Sequence, residues 1–185
     1  MDAIKTIITR HSISKVKPDP VGRELIEKIL HAAVQAPNHY RVRPWRFVVL
    51  TGKSREALGE VMAQAVKKQN PELPEAGMAI ERAKPLRAPV LIAVGVDKPA
   101  DPRVLEFENI CAVAAAVENL LLAAHAEGLG AMWRTGSAAR DPEIKKFLGF
   151  APEQDLISFI YIGYPDMVPD ATERPSFEDR TVWME

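Results

Sequence analysis

Between Ala36 and Leu50 the chain sets an amide (Asn38), an imidazole (His39) and three guanidiniums (Arg41, Arg43, Arg46) around Pro44-Trp45, and then turns apolar. Groups of these types in one loop can hold an anion or the polar edge of a heterocycle, because each offers directed, often charge-assisted, hydrogen bonds. Pro37 and Pro44 fix their own backbones and bias the residue before each toward extended conformations, which predicts an ordered loop. Ordered loops that feed a scaffold strand are where ligands are held. Two further polar clusters stand elsewhere: Arg10-His11-Ser12, and Trp133-Arg134-Thr135 before Gly136.

Familiar chemistries fail on spacing. His11, His31, His39 and His125 lie far apart without Cys or carboxylate at ligand spacing, so no metal site is expected. Gly52-Lys53-Ser54 resembles the end of a phosphate-binding P-loop, but Phe47 stands where that motif requires glycine. Gly128-Leu129-Gly130 follows a helix instead of opening one, which excludes a dinucleotide fingerprint. Neither a nucleophile elbow nor a Cys-His signature is present, so if the chain is an enzyme, a cofactor carries the chemistry and no side chain is catalytic by itself.

The elements that position these clusters read as one domain over residues 1–185. The composition, 47% apolar and 26% charged with a net charge of -1, is that of an ordinary globule and argues against nucleic acid or an anionic membrane as partner. The single cysteine, Cys111, excludes an internal disulfide and reads as core packing. No apolar stretch is expected to reach a membrane span and the first residues carry charge where a signal peptide needs apolar ones, so a cytoplasmic protein is expected.

Ile4, Ile7 and Ile8 predict a first helix, and the apolar spacing from Arg23 to Gln35 a second. Trp45 to Leu50 reads as a strand, followed by a third helix capped through Ser54. From 69 to 88 the pattern weakens into prolines and charges, which suggests a mobile connection or lid. Pro89 to Val96 predicts a strand covered on both faces, and Val104 to Gly128 a helix so apolar that its own sheet or a second subunit must enclose it. Ala131 to Arg134 reads as a short strand, Asp141-Pro142 as a helix start, and Leu156 to Gly163 as the last strand. Strands separated by helices, after an opening helix, indicate an α+β domain with a mixed sheet. The tail, residues 164–185, carries little core and is expected to cross to a partner.

Four stretches in order, Arg10-His11-Ser12, Ala36-Pro37-Asn38-His39 through Arg43-Pro44-Trp45, Glu127-Gly128-Leu129-Gly130 and Ala131-Met132-Trp133-Arg134-Thr135-Gly136, resemble the nitroreductase family of FMN-dependent oxidoreductases, nearest its short members of the YdjA type. The likeness runs from about residue 2 to residue 165. It implies a three-layer sandwich with a central mixed, mainly antiparallel sheet flanked by helices, in an intertwined homodimer with FMN at the subunit interface.

The resemblance further implies that Arg10, His11 and Ser12 hold the FMN phosphate and ribityl chain, and that Trp133, Arg134 and Thr135 lie beside the flavin. Read as residues alone, Arg10 and Ser12 are ordinary end-of-helix chemistry, and Trp133 is equally a buried tryptophan of an edge strand. Gln35, Asn38, His39 and Arg41 fall at flavin-contacting positions, the loop reaching a neighbouring subunit's FMN. Ala123, Ala124, His125, Ala126, Glu127 and Gly128 correspond to a stretch associated with NAD(P)H, and His125 and Gly128 equally suit helix capping. Arg174 is a candidate phosphate contact or a solvated charge. The chain departs from the family at Ser14, where a cation is usual, at Gln35, where the short members have arginine, and at Arg43, where a neutral amide is usual. The implied activity is a ping-pong passage of hydride from NADH or NADPH through flavin to a nitroaromatic, quinone or other small acceptor; a non-catalytic FMN carrier or sensor is the alternative.

Overall fold

The computed structural model describes residues 2–169 and 174–185. Seven buried residues in a row, Val90–Val96, form β2 at the centre of the molecule. It pairs on one side with β1 (Trp45–Thr51) and on the other with β4 (Asp155–Gly163), and β4 pairs in turn with β3 (Gly130–Arg134), giving the order β1-β2-β4-β3. All three ladders are antiparallel. The parallel component of the expected mixed sheet is a single bridge, Ser12 to Ala131, on the outer edge of β3.

Alternation along the strands builds two cores. Val90, Ile92, Val94 and Val96 join Ile160 and Ile162 on one face, under α2 (Arg23–Ala33) and α5 (Glu106–Ala126). Leu91 and Ala93 join Phe159 and Tyr161 on the other, under α3 (Lys53–Gln69) and α6 (Pro142–Phe147). Helices on both faces make the three-layer sandwich. α1 (Ala3–Thr9) rides on α5 and closes no core: Ile4, Ile7 and Ile8 are all exposed.

Asp141 caps α6 as its sequence predicts, Oδ1 accepting from Glu143 N at 2.9 Å and Ile144 N at 3.2 Å. Ser54 does not cap α3. Gly52 occupies the cap position, and Ser54 Oγ instead donates to Thr51 O at 2.7 Å from inside the first turn. The expected mobile connection over 69–88 is largely helical: α4 (Glu75–Ala83) and a 3₁₀ turn at Lys84–Arg87 lie against α3. Prolines and charges masked the pattern, but Met78 is buried, and Arg82 donates to Glu60 of α3 at 2.5 Å. Gly59 permits this contact, since a Cβ there would stand 2.3 Å from Arg82 O.

α5 corrects two expectations. At 21 residues it is long and apolar enough, by length and composition, to cross a membrane. Its inner face is instead spent on the sheet and α2, where Val113, Ala116, Val117 and Leu120 are fully enclosed. Cys111 lies on the other face and is exposed, because a helix apolar all round has only one face covered by its own chain. Phe107, 72% exposed, and Ile110 continue that uncovered face.

Candidate functional site

Three of the four polar stretches meet at one corner of the sheet. Ile13 N donates to Ala131 O at 3.0 Å and Ser12 bridges Ala131, so the segment after α1 runs alongside β3. Gly130 lets it approach: a Cβ there would stand 2.7 Å from Ile13 Cγ2. Arg10-His11-Ser12 is thereby laid beside the strand that continues into Trp133, Arg134 and Thr135. The last turn of α5 closes the corner, with His125 Nε2 2.9 Å from Thr9 Oγ1.

The electrostatics of the corner favour an anion. Arg10 Nε lies 3.3 Å from Glu118 Oε1, near enough for attraction, yet among the described residues this buried atom has no aligned hydrogen-bond acceptor. An orphaned buried donor is costly, so an acceptor brought to this corner would be stabilised there. Arg174 of the tail reaches the same place, donating to the carbonyl of Arg10 and, at 3.5 Å, to that of Ile7. Burial first, and then the positive charge of Arg10 and His11, pull the His125 pKa below its ordinary value. Arg10, His11, His125 and Arg174 thus share this corner, where Glu118 pairs with Arg10. A phosphate would satisfy the orphaned Arg10 donor, and this donor set fits the phosphate end of FMN.

Beyond the corner, Trp133 is 36% exposed, so its reading as a buried core tryptophan fails. The Arg134 guanidinium lies 5.6 Å above the Tyr161 ring, whose pKa burial raises. Thr135 lines a cleft of about 550 Å³ with Arg140 and Lys145. The stretch from 123 to 128 divides: Ala124 is fully enclosed in the core and Glu127 pairs with Lys28 at 2.7 Å, while Ala123 and Ala126 line a shallow groove with Gln35. Gln35 Nε2 donates locally to His31 O at 3.1 Å.

The fourth stretch is not at this corner. His39 Nδ1 lies 4.0 Å from Glu108 Oε1 at the opposite end of α5. At 1.5 Å per residue, roughly 15 to 25 Å of helix separates Glu108 from the Arg10 partner Glu118 and from His125. Within one chain, Asn38, His39 and Arg41 therefore do not join Arg10 and Ser12. Instead Asn38 and His39 face a hollow of about 430 Å³ with Phe107, Glu108 and Cys111, on the uncovered face of α5.

The loop itself is ordered as expected, but not by extended residues. Tyr40, Arg41 and Arg43 have φ of 45°, 58° and 51°, so the residue before Pro44 is left-handed. Asn38 holds that shape, its Oδ1 accepting from Arg43 N at 2.8 Å and its Nδ2 donating to Ala36 O at 3.3 Å. Sequence reasoning missed Arg103, whose guanidinium lies 4.4 Å from the Tyr40 ring centroid. No local pattern links residues so far apart in the chain.

This three-layer sandwich, with its cationic corner between α1 and β3, belongs to the nitroreductase family, whose profile matches residues 7–164. The Escherichia coli K12 protein named "Putative NAD(P)H nitroreductase YdjA" is 31% identical over 182 residues, covering 93% of this chain and 97% of its own. Among solved structures, a nitroreductase-like family protein from Bacillus cereus superposes with a TM-score of 0.87 at 25% identity, covering 100% of this chain and 97% of its own. A chain from Desulfovibrio desulfuricans, solved in complex with FMN, gives 0.74 at 26% identity, covering 100% and 98%.

Proposed function

We propose that this chain is an FMN-dependent oxidoreductase that takes electrons from NAD(P)H and passes them to a small oxidised acceptor such as a nitroaromatic or quinone. One observation carries the reading: the buried Arg10 Nε, ion-paired with Glu118 at 3.3 Å but without an aligned hydrogen-bond acceptor among the described residues, at a corner where Ser12, His125, Arg174 and the Trp133–Thr135 stretch converge. Arg10 and Ser12 hold the phosphate by charge-assisted hydrogen bonds, with Arg174 adding positive charge and His11 a further hydrogen-bonding group. Trp133, Arg134 and Thr135 line the isoalloxazine. Bound FMN supplies hydride acceptance and donation; the chain supplies position, exclusion of water from one ring face and charge.

The separation of His39 from Arg10 along α5 supports a site shared between two copies. The uncovered face of α5 and the exposed isoleucines of α1 form the contact. The partner subunit's Gln35, Asn38 and His39 then complete each flavin site. The tail crosses in the same assembly: Val182, Trp183 and Met184 are exposed on their own chain, Trp183 by 81%, and burial of such side chains is a driving force for association. A single flavin site serving donor and acceptor in turn would make the kinetics alternating.

Anaerobic addition of NADH or NADPH to the FMN-loaded protein tests the reading. Bleaching of the flavin absorbance, and its return on adding a quinone, is expected; persistent colour with both donors leaves only a non-catalytic flavin carrier.

A further inference from the structure

The loop from Asn38 to Arg43 is more heavily constrained than a turn between a helix and a strand requires. Three non-glycine residues, Tyr40, Arg41 and Arg43, hold φ of 45°, 58° and 51°. Each such residue is strained and persists only where its surroundings impose it. Here the Asn38 amide grips Arg43 N at 2.8 Å, Arg103 lies 4.4 Å from the Tyr40 ring centroid, and His39 meets Tyr40 edge-on at 4.5 Å.

The cations around this loop divide into two groups. Arg46 pairs with Asp97 at 2.6 Å, Arg103 with Asp101 at 2.6 Å, and Lys98 with Asp155 at 2.6 Å and with Glu106. The Arg103 pairing is firm enough to hold the Asp101 carboxyl down to about 2. Glu108 accepts from Leu105 N at 2.8 Å and faces His39. Arg41 and Arg43 are left with no ion pair and no side-chain hydrogen bond among the described residues, both exposed. The neighbouring carboxylates are engaged elsewhere, and the two free guanidiniums stand on the strained backbone.

We propose that Arg41 and Arg43 form a phosphomonoester clamp that makes NADPH the preferred electron donor over NADH. This rests on the flavin reading above and deepens it. In that site the FMN phosphate already meets Arg10, Ser12 and Arg174, so a second pair of unpaired guanidiniums calls for a second anion. Nitroaromatic and quinone acceptors need carry no charge. NADPH differs from NADH by its 2′-phosphomonoester, and guanidinium forks suit a phosphate's oxygens better than any neutral group does.

The test is equilibrium binding of NADP⁺ and NAD⁺ to the FMN-loaded protein by calorimetry, with the rate of anaerobic flavin bleaching by NADPH and NADH as a second readout. NADP⁺ is expected to bind roughly ten- to hundredfold tighter than NAD⁺, the range of one charge-assisted hydrogen bond. R41Q/R43Q should bring that ratio close to one, and R41K/R43K, which keeps the charge, should retain part of it. A ratio near one in the wild type, an equal loss for both dinucleotides, or a loss confined to FMN affinity overturns the clamp. FMN uptake is measured before either dinucleotide is added, so failure of the flavin reading itself appears separately, as a protein that takes up none.

Discussion

His125 Nε2 stands 2.9 Å from Thr9 Oγ1, whose own proton goes to Lys5 O at 2.7 Å. A hydroxyl has one proton to give, so the imidazole is the donor of the pair and carries its proton on Nε2. Nδ1 is then the atom that titrates. This contact fastens the end of α1 to the last turn of α5 and fixes how the cationic corner responds to pH.

Burial and the charges of Arg10 and His11 hold the His125 pKa below 6.5. The unfolded chain therefore takes up this proton before the folded chain does, and stability falls as pH drops below about 6.5 toward the folded value. A dianionic phosphate in the corner reverses the shift, so FMN binding near neutral pH draws in a proton. An NMR titration of the His125 ring with and without FMN should show the pKa rise on binding, and H125Q should lose the associated proton uptake. An unchanged ring titration places the phosphate elsewhere.

R10Q removes the half-buried guanidinium that carries the orphaned Nε. A hydrogen bond to a charged group contributes about 1.5–3 kcal/mol, so FMN affinity should fall roughly ten- to hundredfold, while riboflavin, which lacks the phosphate, should bind both proteins alike. Fluorescence quenching of the two flavins measures the difference. Equal losses for both would mean that Arg10 supports the fold instead of the phosphate.

Gly59 tests the packing of α4, which the sequence disguised. A Cβ at this position would press to 2.3 Å from the Arg82 carbonyl oxygen, backbone that cannot swing aside. G59A should cost roughly 1–3 kcal/mol by overpacking, seen as a lowered midpoint in urea unfolding. A midpoint equal to the wild type's would show that α3 and α4 part easily, as a lid would.

Much of the fold was legible locally. Alternation and uniform apolarity marked β1, β2 and β4 because burial on one or both faces leaves that trace in neighbouring residues, and Asp141-Pro142 carried its own cap. What was hidden depends on contacts distant in sequence. The approach of Ser12 to Ala131 unites two of the site's stretches, and no periodicity reports it. Arg43 defied its proline because Asn38 grips its amide from five residues away. Cys111 looked like core because an apolar helix does not say which of its faces its own chain will cover.

In the proposed dimer, that uncovered face is the contact. Phe107 is 72% exposed on it. Full burial of such a side chain contributes about 1.5–3 kcal/mol at each copy, and a carboxylate there would have to be desolvated. F107E should shift the protein from dimer to monomer in sedimentation at micromolar concentration and weaken FMN binding with it. A dimer that survives the change moves the interface elsewhere.

The central claim is that each flavin site takes Arg10 from one chain and the Asn38–His39 loop from the other. Mixed dimers of R10Q chains with N38A/H39A chains measure it directly. One site of such a dimer carries both defects and the other carries neither. The account predicts one tightly bound FMN per mixed dimer, although each variant alone binds weakly; mixed dimers that bind no better than either parent would contradict it.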